Sequence, residues 1–170
     1  MGRRFVALPK EDQDRLAEQF ATLPRLIAAE EVGNYQHQAV SVFDHILSVE
    51  EAKTQLDDID PSHAARHDTR LREFACTLSA RSDCYLVKLK GRRKKGRLTF
   101  RAFTSAEAKE RSLLPLPYMV SDQFRFILVF PSLDLVYLES ADFTHHLYYK
   151  RAGSFELVVE AARSAGIHLL

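Results

Sequence analysis

Tryptophan is absent from this chain, and cysteine and methionine occur only twice each. The cysteines, Cys76 and Cys84, make no disulfide framework, so stability has to come from a packed core rather than from staples. They read as thiols of a reducing compartment, which makes the cytoplasm the expected location. No apolar run approaches the ~20 residues of a membrane helix, so no membrane partner is expected. The opening MGRRFVALPKED is basic but has neither an apolar stretch nor a small-residue cleavage site, which argues against a signal peptide. Val6 stands where a myristoylation signal needs Ser or Thr. There is no Walker loop, GxGxxG, GxSxG, CxxC or EF-hand loop, which lowers the expectation of catalysis and points to no cofactor. Low-complexity tracts are missing too, which argues against a disordered chain, and there are no internal repeats.

What is present is ordinary globular usage: 46% apolar and 28% charged residues over a length of 170. That length suits one compact domain, 1–170, able to bury roughly two-thirds of its unfolded surface. The segment around which the rest is organised is Phe124 to Glu139, FRFILVFPSLDLVYLE. Its even positions up to Phe130 are all apolar, and its odd positions become apolar at Ile127 and Val129. A strand apolar on both sides is a strand covered on both sides. Pro131 fixes φ and cannot donate to a ladder, so it suits a tight turn over 130–133, with a return strand from Asp134 to Glu139. A third strand, His145 to Lys150, follows closely enough to make a meander.

Helices flank this meander. Pro9 followed by Glu11 and Asp12 is a helix start, and Leu16, Phe20, Leu23 and Ile27 form one apolar stripe that Pro24 should kink or split. Asp60 and Pro61 cap and open a second helix, which runs to about Ala80 and buries Leu71, Phe74, Ala75 and Leu78. Ser154 is the expected cap of a third, which Gly166 stops. Residues 35–48 are ambiguous between strand and helix and read better as a strand or irregular segment, followed by a short helix from Val49 to Leu56. The fold these patterns predict is α+β: an antiparallel, meander-like sheet of about five strands, with N-terminal, mid-chain and C-terminal helices mainly on one face.

Charge is distributed unevenly. Lys88, Lys90, Arg92, Arg93, Lys94, Lys95, Arg97 and Arg101 lie within fourteen residues that contain no acid. With +1 overall and eight cations in that stretch, the remainder carries a net charge of −7. The stretch reads as a hairpin over residues 84–103. Pairing Lys90 with Arg97 sets Leu89 opposite Leu98 and Val87 opposite Phe100 on one face, and leaves Lys88, Lys90, Arg97 and Arg101 on the other. Such a paddle suits a polyanion, because cations that meet phosphates release condensed counterions. Exposed lysines also protect sheet edges, and a short basic run is a motif with many false positives.

Histidine supplies the remaining candidates. His63 and His67 lie four apart on the mid-chain helix, sharing a face near Asp57, Asp58 and Asp60, a weak zinc pattern with no obvious third ligand. His145 and His146 are adjacent on a strand, so they point to opposite faces. Either could meet Tyr137 or Glu139 and act as an acid–base group. Cys84 should be more acidic than usual beside the lysines. The leading expectation is a non-catalytic module that binds a polyanion, above all nucleic acid backbone, through the basic hairpin. Two alternatives remain open. One is a protein-interaction module, such as a bacterial antitoxin, immunity protein or adaptor, meeting an acidic protein surface. The other is a small hydrolase or nuclease using His145 or His146.

Overall fold

The computed structural model describes residues 3–90, 97–113 and 126–170. They form an α+β fold of one antiparallel sheet with α-helices packed against it, six in all counting the exposed turn α3 (Val49–Ala52). The sheet has eight strands in the order β1 (Phe5–Ala7), β4 (Arg97–Phe103), β3 (Tyr85–Lys90), β5 (Ile127–Phe130), β6 (Leu135–Leu138), β7 (Thr144–Tyr149), β2 (Gln36–Ser41), β8 (His168–Leu169). At its centre are β5 (Ile127–Phe130) and β6 (Leu135–Leu138), paired from Ile127–Leu138 to Phe130–Leu135. Pro131–Leu133 makes a single 3₁₀ turn between them, closed by Asp134 at a left-handed φ of 47°. Asp134 Oδ1 accepts from Gln19 Nε2 at 2.7 Å, and Oδ2 meets Arg151 Nε at 2.8 Å, so the turn is held from two directions. β7 (Thr144–Tyr149) completes the meander against β6.

Alternation explains why these strands are apolar throughout. Leu128, Phe130, Leu135 and Tyr137 point to one face, where α4 (Pro61–Ala80) and α6 (Ala152–Ala165) supply Leu71, Phe74, Leu78 and Val158. Val129, Val136 and Leu138 point to the other, where α1 (Lys10–Gln19) and α2 (Leu23–Ile27) supply Leu16, Leu23 and Leu26, with Phe20 between them. Helices expected mainly on one face are thus shared between both. Pro24 opens α2 just after the end of α1, and that break lets the pair wrap the second face. α5 (Ala106–Ser112) lies beside α4, with Lys109 Nζ donating to Ser79 O at 3.1 Å.

The count rises from five strands to eight because three short segments pair at the sheet's two ends. β1 (Phe5–Ala7) joins β3 (Tyr85–Lys90) and β4 (Arg97–Phe103) at one end, lying on the outer side of β4. β2 (Gln36–Ser41), the segment left ambiguous by its sequence, pairs along all of β7, and β8 (His168–Leu169) closes its outer edge. Asp60 caps α4 by accepting from Ser62 N at 2.9 Å, as its sequence predicts. Ser154 does not cap α6. The helix begins at Ala152, and the buried Ser154 hydroxyl instead donates to Leu133 O, because the turn after β5 lies against that first helical turn. Gly166, at φ 64°, ends α6 in the left-handed conformation that glycine tolerates.

Candidate functional site

The basic hairpin forms in the register its alternation predicts. Val87 pairs with Phe100, Lys88 with Thr99, Leu89 with Leu98 and Lys90 with Arg97. Val87 and Phe100 are buried against α1, and Leu89 and Leu98 pack at the margin of that cluster. The Gln13 side chain fastens the helix to the strand: its Nε2 donates to Phe100 O at 2.6 Å, and its Oε1 accepts from Phe100 N at 2.9 Å. Lys88 and Arg97 are exposed on the opposite face, with Arg101 half-buried there. Among the described residues, no carboxylate lies within ion-pair distance of these three cations. Their face is not wholly polar, for Leu86 is on it and is buried beneath the α4 side. Arg92, Arg93, Lys94 and Lys95 lie outside the described residues, as does the Lys90 side chain.

The four histidines marked by the sequence fall in different environments. His63 is exposed near the start of α4. His67 packs its ring against Phe43 and Phe143, with centroids 5.5 and 5.1 Å away. Burial lowers the His67 pKa, and nearby Arg70, His63 and Arg66 lower it further. Among the described residues, no group of three His, Cys, Asp or Glu side chains is arranged around a metal position. His145 meets Tyr137, as one reading of the sequence expects, with Nδ1 2.6 Å from the hydroxyl. Tyr137 is 0% and His145 2% exposed, so a substrate reaching this imidazole would have to displace part of the core. Glu139 is buried too, and Phe126 packs edge-on to both rings.

His146 points the other way and finds a partner that the sequence did not suggest. The β2–β7 register sets Ala39 opposite His146 and His37 opposite Tyr148, making the two histidines diagonal neighbours on one face. His37 Nε2 lies 3.1 Å from His146 Nδ1, one ring donating to the other, and the rings stack at 5.3 Å. Burial, and then each other's proximity in the case of His37, lowers both pKa values, whereas Asp142 opposes the shift at His146. The pair lines a groove of about 460 Å³, together with Phe43, Leu47 and Leu56. His45 lines it as well, held between Asp44 Oδ1 at 2.6 Å and Glu51 Oε1 at 3.0 Å, and both carboxylates raise its pKa. No local signal marks His37, because a histidine in an ambiguous segment says nothing about which strand it will lie beside.

The cysteine expectation is overturned. Cys84 is buried, and desolvation drives its thiol up to about 11 against the opposing charge of Lys109. Lys88, the nearest described lysine of the strand, points to solvent, where its field is screened. No protein-family model, curated protein or solved structure matches the chain. Among the described residues no helix is long and apolar enough to cross a membrane.

Proposed function

We propose that this protein is a binding module whose β3–β4 hairpin engages a polyanion, above all the phosphate backbone of a nucleic acid. One observation supports this most: Lys88, Arg97 and Arg101 share a face on which no described carboxylate neutralises them. On the far side the hairpin is fastened to α1 through Val87, Phe100 and Gln13, so the cations stand on a rigid support. A preformed cationic face loses little conformational entropy on binding, and guanidinium groups add bidentate phosphate geometry. Arg92, Arg93, Lys94 and Lys95 add four more cations to the sequence between the two strands. These contacts position a phosphate backbone without reading bases, so affinity should be salt-dependent and tolerant of sequence.

Fluorescence anisotropy with labelled duplex DNA, single-stranded DNA and RNA, from about 50 to 200 mM salt, tests the proposal. Binding should weaken linearly in log–log terms. Neutralising Lys88, Arg97 and Arg101 together, each to Gln, should reduce the slope by about 3, one for each cation that no longer meets a phosphate. Absence of binding at the lowest salt, or a slope that the triple variant leaves unchanged, overturns it.

A further inference from the structure

The stacked imidazoles at the other end of the sheet have no part in a hairpin-based function. We propose that His37 and His146 chelate a late first-row divalent cation, Zn²⁺ or Cu²⁺, in the groove beside β2 and β7. The geometry already fits. Nitrogens bound to zinc at about 2.0–2.1 Å stand about 3.3 Å apart at a tetrahedral angle and about 2.9 Å apart at a right angle. His37 Nε2 and His146 Nδ1 are 3.1 Å apart, between these two values.

The side chains are held where the ion needs them. Both histidines are on strands paired over their full length, and the Tyr148 ring lies 4.9 Å from His37 on the same face of the sheet. Imidazole ligates in its neutral form, the form that dominates for an ordinary histidine above about pH 6.5. In the metal-free pair one nitrogen carries a hydrogen and donates it to the other. On binding, that ring releases this hydrogen to solvent and takes one up on its second nitrogen, so neutral rings bind the ion with no net proton release.

Imidazole is a preferred ligand of zinc, copper and nickel, whereas magnesium and calcium take oxygen, which limits the site to the former group. No third His, Cys, Asp or Glu completes the set among the described residues, so the remaining positions are open to water or an anionic ligand. Asp142 and Thr144 line the same groove and can accept hydrogen bonds from metal-bound water. The other histidine pair is less suited, because His67 is crowded by Arg66 and Arg70, whose charges repel a cation.

The test is a titration of the intact protein with zinc chloride and, separately, copper chloride near neutral pH. Calorimetry reads both titrations, and imidazole NMR signals read the zinc one. A single saturable site that shifts the His37 and His146 resonances is expected. His37→Gln and His146→Gln should each weaken it roughly a hundredfold, since one imidazole loses the effective concentration of the second. His63→Gln should leave it unchanged. Both site histidines are partly exposed, so the variants should fold, and zinc should raise the melting temperature of the parent but not of either variant. No saturable binding up to about 1 mM, or binding that neither substitution weakens, overturns the proposal.

Discussion

Gln13 gives the most direct test of what supports the basic hairpin. β1 pairs with β4 only from Phe5–Phe103 to Ala7–Arg101, so Phe100 is the first β4 residue past the end of the covering strand. Its outward N–H and C=O would face the edge of the sheet unpaired. The Gln13 amide takes the place of the next strand residue, donating to the carbonyl at 2.6 Å and accepting from the amide at 2.9 Å. Gln13→Ala removes both bonds. At roughly 0.5–1.5 kcal/mol each, the loss is about 1–3 kcal/mol. A central loss of ~2 kcal/mol corresponds to a fall in melting temperature of about 4–8 °C for a chain of this size.

Gln13→Glu is the sharper perturbation. A carboxylate still accepts from Phe100 N but sets its charge against the lone pairs of Phe100 O, while a protonated carboxyl can do both. The folded state therefore favours the neutral form and raises the pKa of the new group. Its contribution is fully present below the ordinary carboxylate value, about 4.3, and is lost as pH rises through the raised folded value. Urea midpoints of the parent and both variants, measured across the acid and neutral range, give the answer. Gln13→Ala within about 0.5 kcal/mol of the parent, or a Gln13→Glu deficit that does not change with pH, refutes the reasoning.

Tyr137→Phe removes the hydroxyl bonded to buried His145, and should cost about 1–3 kcal/mol of stability in urea unfolding; an unchanged midpoint refutes that contact. Burial raises both thiols, Cys84 up to about 11, so at neutral pH an alkylating reagent should reach half-buried Cys76 first and modify Cys84 only as the protein unfolds. Peptide mapping of the labelled protein checks the order, and faster labelling of Cys84 would contradict it. Burial lowers the pKa of His37, His67 and His146, so the unfolded chain takes up protons at the usual 6.5 while the fold still resists them. Their contribution should be full above that pH and decline as pH falls through it toward the lowered folded values. His45 opposes this, because its raised pKa adds stability as pH falls, so His37→Gln should shift the balance toward a shallower decline. A pH dependence of the urea midpoint that His37→Gln leaves unchanged argues against the burial of that ring.

Much of the architecture is legible in short stretches of the sequence, because the forces that specify it are local. The apolar-on-both-faces run at Ile127–Phe130 and Leu135–Leu138 required cover on both sides, and α1–α2 and α4–α6 provide it. Asp60-Pro61 opens α4, Pro24 splits the N-terminal helices and Gly166 ends α6, each through its own backbone chemistry. The hairpin register follows from period-two alternation alone, as does the opposite orientation of His145 and His146. Ser154 misleads because its hydroxyl is used by a carbonyl from another element, Leu133 O, which no helix-start rule can see.

Tertiary structure decided the rest. β1 and β8 span three and two residues, too few for any alternation to show, and are strands only because a sheet edge was there to pair with. His37 and His146 are 109 residues apart, and Gln13 and Phe100 are 87 apart. Residue type and spacing along the chain carry no information about such meetings. The order of strands in the sheet, and the helices that cover each face, bring those side chains together.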